Sequence, residues 1–287
     1  MTTLITGTSS GIGAALAIAL AERGGNLALV ARRADRLAAV AATARDRGAH
    51  VLEIVADLSE ERACRDAVNR TLETFGAIDV LVNNAGRGNK ARIEDTSTEQ
   101  LDSIFAINVY ATFWMTAQAL PSMKARGTGH IVNIASIAGK MAFPFNAAYV
   151  AAKHAVVGFT AALRTELTDT GVEATVVCPA GVRTDWADVT EGGALGDVFG
   201  SGIVKSKRFA KERNVPLAPL TPMMSAEDVA AIIVRTIDGG RSNDVFTHAG
   251  TFEQSVEAAT DRMALEDRYW PLYKGMIATM EEERSGT

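Results

Sequence analysis

Tyr149 and Lys153 stand four residues apart in Tyr149-Val150-Ala151-Ala152-Lys153, a segment of helical character. That spacing puts both side chains on one helix face, so a phenol and an ammonium become neighbours. A free phenol titrates near pKa ~10, and an adjacent cation favours its anion. At about 4 Å and an effective dielectric of ~20 the attraction is at most ~4 kcal/mol, roughly three pKa units before desolvation subtracts. Tyr149 is therefore expected to exchange a proton near neutral pH. Many helices carry such a pair with no chemistry attached, so position decides. Ser136 ends the preceding predicted strand, and doubly wound sheets place their ligands beyond the strand carboxyl ends. Its hydroxyl can hydrogen-bond a substrate oxygen there, or simply cap a turn.

A second constellation, Thr6-Gly7-Thr8-Ser9-Ser10-Gly11-Ile12-Gly13, falls where the first predicted strand meets a helix. Glycines allow a tight turn and close backbone approach, and exposed amides at a helix N-terminus attract a phosphate. A pyrophosphate is expected on this turn, although an ordinary strand-to-helix turn has the same look. Arg32 and Arg33 follow the second predicted strand, where a site for NAD usually carries an acid to hold the ribose 2'-hydroxyl. Guanidinium groups suit a 2'-phosphate instead, which favours NADP(H) over NAD(H). The alternative is that both arginines, with Arg36, are solvated residues leading into a helix.

These groups need a scaffold that brings strand ends together. Short β-branched runs at Thr2 to Thr6, Asn26 to Ala31, His50 to Ala56, Asp79 to Asn83, Gly129 to Ser136, Glu173 to Pro179 and Asp244 to Thr247 alternate with alanine-rich helical stretches. Mostly continuous apolar runs suit strands covered by helices on both faces. The expectation is a single α/β domain, a doubly wound, mostly parallel seven-stranded sheet with helices on both faces. A barrel would need eight units, and the glycine-rich first turn argues against one. Residues 1–250 form that domain, with 251–287 as a charged helical tail belonging to it. The stretch from about 180 to 224 shows no clear period and is the expected substrate lid, since long loops are usually functional.

Bulk properties narrow the partners. A formal net charge of -5 over 287 residues, with basic groups scattered, gives no footprint for nucleic acid or an anionic membrane. No run reaches the ~18 apolar residues of a membrane span. Cys64 and Cys178 are too few for a disulfide framework. With no leader sequence read at the N-terminus, the chain is expected in the cytoplasm. His50, His130, His154 and His248 lack zinc-ligand spacing, so they read as structural or surface residues and no metal is expected.

Taken together, TGTSSGIG at 6 to 13, NNAG at 83 to 86, Ser136, YVAAK at 149 to 153 and PAGVRT at 179 to 184 resemble the short-chain dehydrogenase/reductase family in order and spacing. The resemblance covers Met1 to about Thr247. It implies a Rossmann-type fold, with Tyr149 as acid/base, Lys153 as its pKa modifier and ribose ligand, and Ser136 as positioner of the substrate oxygen. Asn108 is implied to hold a proton-relay water, and is otherwise a buried polar bridge between helix and sheet. The cofactor set so implied comprises Gly7, Ser9, Ser10, Gly11, Ile12, Gly13, Arg32, Arg33, Asp57, Leu58, Asn84, Ala85, Gly86, Val182 and Thr184, with Tyr149 and Lys153. Asp57 has a second reading as helix N-cap ahead of Glu60 and Glu61. Where the family often has Pro-Gly, this chain has Pro179-Ala180-Gly181, and a slightly re-routed backbone is expected.

The activity implied is hydride transfer between nicotinamide and a carbonyl or secondary alcohol, reduction being favoured with NADP(H). Trp186, Val189, Leu195, Val198, Phe199, Ile203, Phe143 and Phe145 suggest a moderately apolar substrate, or else a core or subunit contact. A homodimer or homotetramer through helices at Leu101 to Met123 and Ala147 to Asp169 is implied as well. A non-catalytic NADP(H)-binding regulator, or an isomerase or lyase on the same fold, is the competing reading.

Overall fold

The structure is a computed structural model that describes residues 1–240 and 243–286; the last residue of the expected tail lies outside the described residues. Three βα units come first: β1 (Thr2–Thr6), α1 (Gly11–Ala21), β2 (Gly25–Ala31), α2 (Ala34–Asp46), β3 (Ala49–Val55) and α3 (Glu61–Phe75). The chain then crosses to β4 (Val80–Asn83), α4 (Thr98–Phe105), α5 (Ala111–Arg126), β5 (Gly129–Ile134), α6 (Ala147–Glu166) and β6 (Val172–Cys178). A two-stranded ribbon of β7 (Val182–Arg183) and β8 (Met224–Ser225) brackets α7 (Leu195–Arg213). The remainder is α8 (Ala226–Gly239), β9 (Val245–Phe246), α9 (Thr251–Thr260) and α10 (Arg262–Ser285).

Seven strands pair in the order β3-β2-β1-β4-β5-β6-β9, every pair parallel. Side chains of a strand alternate between faces, and the core divides accordingly. Ile5, Leu27 and Leu29 join Leu16, Leu37 and Ile233 from α1, α2 and α8. Leu4, Ala28 and Val30 join Val68, Met115 and Leu163 from α3, α5 and α6. The sheet is thus covered on both faces. Since β1 lies between β2 and β4, the direction of winding reverses there, which opens a crevice at the carboxyl ends of β1 and β4.

The stretch expected to lack regular structure holds a 19-residue helix, α7. Gly196, Gly200 and Gly202 interrupt its apolar period in sequence. At Gly202 the helix crosses α10 so closely that a Cβ would stand 2.6 Å from Met276 Cγ, and a Cβ on Gly275 would strike the Gly202 carbonyl. Close contact between backbones, not helical propensity, selects glycine here. The apolar residues Val198, Leu195, Phe199 and Ile203 are largely spent on this crossing, in a cluster with Leu272 and Met276. Strand ends moved by one or two residues: β5 stops at Ile134, so Ser136 lies beyond the strand. Among the described residues no helix is long and apolar enough to cross a membrane.

Candidate active site

The glycine turn opens α1; the Gly7 and Thr8 amides donate to the Val30 carbonyl at 2.8 and 3.2 Å, and those of the first helical turn have no intrahelical acceptor. Ser10 is the N-cap but makes no side-chain cap hydrogen bond, and the first turn carries no acid. Unsatisfied N–H groups and the positive end of the helix dipole therefore face outward, as an anion site requires. Gly7 sits at φ 72, and a Cβ there would lie 2.9 Å from Ala85 Cα and from Asn84 Nδ2. A Cβ on Gly13 would run into the Gly7 carbonyl. The turn is sewn to the end of β4 by Thr6, whose hydroxyl accepts the Asn84 and Ala85 amides at 2.9 Å each. Asn84 Nδ2 returns a bond to the Thr6 carbonyl at 2.9 Å.

Beside this turn runs a groove of about 290 Å³. Gly7, Ser9, Ser10, Gly11, Ile12, Arg32, Arg33, Leu58, Asn84, Ala85, Gly86 and Thr184 all line it. Five residues of the expected cofactor set stand outside the wall, Tyr149 and Lys153 among them. Gly13 serves helix packing behind the turn, Asp57 lies behind Arg32 at 3.6 Å, and Val182 pairs with Met224 in the ribbon. The α3 N-cap is Glu60, so the helix-cap reading of Asp57 does not hold. Its carboxylate accepts the Ser59 amide at 3.0 Å and hydroxyl at 2.8 Å. Burial works against that charge, yet the Ser59 bonds and Arg32 hold the carboxyl below its ordinary pKa.

Arg33 forks across the turn. Its Nη2 donates to Ser10 Oγ at 2.7 Å and to Ser9 Oγ at 3.0 Å, and its Nε to Ser9 Oγ at 3.2 Å. A guanidinium at the groove wall that, among the described residues, bonds only neutral hydroxyls keeps its charge uncompensated for an anion.

Ser136 begins a short 3-10 turn at Ile137–Gly139. Its Oγ accepts the Ala138 amide at 3.1 Å and donates to the Pro179 carbonyl at 3.3 Å, so it caps the turn and also reaches the phenol of Tyr149. Lys153, four residues beyond Tyr149 on α6, is 3% exposed, and its Nζ lies 5.5 Å from the Tyr149 ring centroid. That ammonium donates to the Ile134 carbonyl at 2.9 Å. The lowered phenol pKa expected from the spacing is not found. Burial pushes Tyr149 up to about 12, with the Ser136 hydrogen bond pulling the other way, and burial also lowers Lys153 to about 8. Desolvation outweighs attraction at this distance.

Asn108 stands in a π-helical turn, Ala106–Tyr110, between α4 and α5. Such turns often mark functional positions. Its Nδ2 donates to the Ile104 and Arg87 carbonyls at 2.9 Å each, while Oδ1 is buried without a partner. A Cβ on Gly86 would stand 2.5 Å from that oxygen and 3.4 Å from Lys153 Nζ. Glycine at 86 thus lets the backbone come close to the unsatisfied Asn108 oxygen, with the buried Lys153 ammonium beside it.

The segment after Thr184 closes over the groove. Trp186 and Val189 line it, and the Trp186 ring meets Tyr149 edge-on, centroids 5.6 Å apart. Arg36, read in sequence only with the helix lead, binds Asp185 at 3.0 Å and Asp188 at 3.8 Å. Arg36 and Asp185 are 149 residues apart in the chain, so no local pattern joins them. Ala180 has no positive φ, and its amide donates to His248 Nδ1 at 3.2 Å. His248 Nε2 in turn faces the Gly181 carbonyl at 2.8 Å, which assigns the proton to Nε2. A buried imidazole therefore shapes the Pro179-Ala180-Gly181 turn where a second glycine would otherwise supply freedom.

Comparison with known proteins agrees with this geometry. A family model described as short chain dehydrogenase matches residues 1–192. The D-beta-hydroxybutyrate dehydrogenase of Rhizobium meliloti is 36% identical over 261 residues, covering 83% of this chain and 97% of that one. The enzyme of the same name from Cupriavidus necator is 43% identical over 184 residues, 64% of this chain and 71% of that one. Among solved structures, a levodione reductase superposes with TM-score 0.75 at 29% identity, covering 89% of this chain and 97% of that one. A short chain dehydrogenase/reductase from Burkholderia phymatum, solved with NAD, gives TM-score 0.76 at 28% identity over 92% of this chain and 94% of that one.

Proposed function

The chain belongs to the short chain dehydrogenase family, and from that premise we propose that it is an NADP(H)-dependent oxidoreductase acting on the carbonyl or secondary alcohol of a small, moderately apolar molecule. The carrying observation is the Arg33 fork on Ser9 and Ser10 at the groove wall, with Arg32 beside it. A ribose 2'-phosphate offers that fork a doubly charged partner in place of two hydroxyls, whereas a bare 2'-hydroxyl offers it little.

The amides of the first turn of α1 would hold the pyrophosphate, and Lys153, Tyr149 and Thr184 would hold the nicotinamide end. When bound, the nicotinamide supplies or accepts the hydride. Ser136 orients the substrate oxygen, and Tyr149 gives that oxygen its proton in reduction. A phenol pushed up to about 12 by burial stays protonated at neutral pH, the form that donates. Asn108 Oδ1, buried with no hydrogen-bond partner among the described residues, and the buried Lys153 ammonium serve the replacement of that proton. Trp186, edge-on to Tyr149 and lining the groove, supplies an apolar contact for the rest of the substrate, whereas Phe143 and Phe145 pack into the cluster with Leu272 and Met276.

Leu101, Tyr110 and Phe113 are exposed on α4, the π turn and α5, and Phe113 packs on Phe159 of α6. An apolar face of this kind supports association of copies through these helices. Buried, unpaired Cys64 and Cys178 fit a reducing, cytoplasmic setting. The function is tested by fluorescence titration with NADPH and NADH, followed by a panel of ketones, aldehydes and secondary alcohols. NADPH binding with net oxidation of NADPH supports the reading. Failure to bind either nucleotide overturns it, and product formed without net cofactor consumption makes the protein an isomerase or lyase.

A further inference from the structure

Asn89 has no place in the family motifs read from the sequence, yet it is 3% exposed and its side chain meets the catalytic helix. Its Oδ1 accepts the backbone N–H of Tyr149 at 3.1 Å. That amide lies in the first turn of α6, where no intrahelical acceptor exists for it. Asn146, the N-cap, makes no side-chain cap hydrogen bond. Asn89 therefore satisfies from outside the helix an amide that belongs to Tyr149 itself.

The same segment carries the lid. Glu191 N–H donates to the Gly88 carbonyl at 3.0 Å and Lys90 N–H to the Glu191 carbonyl at 2.7 Å, which makes a parallel bridge centred on Asn89 and Glu191. The Glu191 carboxylate accepts the Ser103 hydroxyl at 2.6 Å and pairs with Arg87 at 3.2 Å. On the other side, Ala91 N–H donates to the Phe145 carbonyl at 3.1 Å. Phe145 lies at φ 62, uncommon for an aromatic residue, just before α6 begins. Residues 88 to 91 thus grip the lid with their backbone and the start of α6 with one side chain and one amide.

We propose that Asn89 is a positioning residue that couples docking of the 185–191 lid to the placement of Tyr149. With Glu191 docked, the Asn89 strand is held and its Oδ1 fixes the first turn of α6, while Trp186 rests on the phenol. With Glu191 released, the acceptor moves and Tyr149 loses its backbone anchor. The tyrosine is brought to its working position only beneath a closed lid, so proton transfer is tied to exclusion of water. This inference rests on the reading of Tyr149 as acid/base.

Two measurements on the full chain test it. The first is hydrogen exchange of the backbone over residues 147–153 in wild type and Glu191→Ala, neither of which alters Asn89. Faster exchange at Tyr149 in Glu191→Ala supports the coupling, and unchanged exchange overturns it, whatever Tyr149 does chemically. The second is a kinetic cycle. Asn89→Ala is expected to lower kcat about 10-fold or more with the NADPH Kd within about 2-fold, and Asn89→Asp, which keeps the acceptor, to restore most of it. The double variant Asn89→Ala with Glu191→Ala is expected to be no slower than Asn89→Ala alone. Additive losses, or no rescue by Asn89→Asp, overturn the proposal. Loss of turnover that also leaves Tyr149→Phe as active as its parent would indict the acid/base reading instead.

Discussion

The Arg33 guanidinium donates to the Ser10 hydroxyl at 2.7 Å, joining the end of β2 to the glycine turn. Arg33→Ala removes the side chain that, among the described residues, grips Ser9 and Ser10 together at the groove wall. We expect kcat/KM with NADPH to fall about 10- to 100-fold, equivalent to ~1.4–3 kcal/mol, and kcat/KM with NADH to change by less than about 3-fold. Parallel steady-state assays with the two nucleotides check this. Equal losses with both would remove the basis for the NADP(H) preference.

Lys153 is buried with a carbonyl as its hydrogen-bonding partner, and its pKa is lowered from 10.5 to about 8. The folded state then binds fewer protons than the unfolded chain between those values, so stability rises as pH rises through that window. Below about pH 8 the buried ammonium costs at most ~3 kcal/mol. Lys153→Met should therefore melt higher than wild type at pH 7 while losing turnover, and the gain should shrink as pH approaches 10.5. Thermal melts at pH 7 and pH 10 decide it; a variant less stable at pH 7 would contradict the account.

Asp244 binds Lys140 at 2.5 Å and Arg164 at 2.9 Å, tying the end of the sheet to α6 and to the turn after Ser136. Burial disfavours its charge, but the Lys140 and Arg164 hydrogen bonds prevail and hold the carboxyl below its ordinary 3.8. Its contribution is complete above that value and is lost as pH falls through the lower folded one. Asp244→Asn should cost about 1–3 kcal/mol at pH 7, and the difference from wild type should vanish under strongly acid conditions. Urea melts across pH follow both. A constant difference down to the acid limit would show that the charge is not responsible.

Much of this was legible in the sequence because it is local. Apolar runs marked the strands, and the glycines, Arg33, Ser136, Tyr149 and Lys153 stood at strand ends or helical spacing that topology brings together. What was hidden depends on three-dimensional approach. Helix α7 escaped because Gly202 serves a crossing with Gly275, whose partner lies far along the chain. The direction of the Tyr149 shift escaped because spacing gives the distance to Lys153 but not the burial of both groups. Nothing near Ala180 announces that His248 shapes its turn, and nothing near Arg36 announces Asp185.

The α7–α10 crossing is sensitive to a single methyl group. Gly275→Ala places a Cβ against the Gly202 backbone carbonyl, which has no rotamer through which to yield. A loss of about 1–3 kcal/mol is expected in chemical denaturation. Gly196→Ala, on the same helix with open space around it, should be neutral or slightly stabilising. Comparable effects from both would mean the crossing does not hold α7 in place.

The central claim is that Tyr149 moves the proton while the groove holds NADP(H). Single-turnover oxidation of NADPH by wild type and Tyr149→Phe, with the binding of NADPH measured on the same samples, tests it most directly. The account predicts a rate lower by about 10²- to 10⁴-fold with NADPH Kd within about 3-fold. A Tyr149→Phe protein that binds NADPH and turns over at the wild-type rate would contradict it.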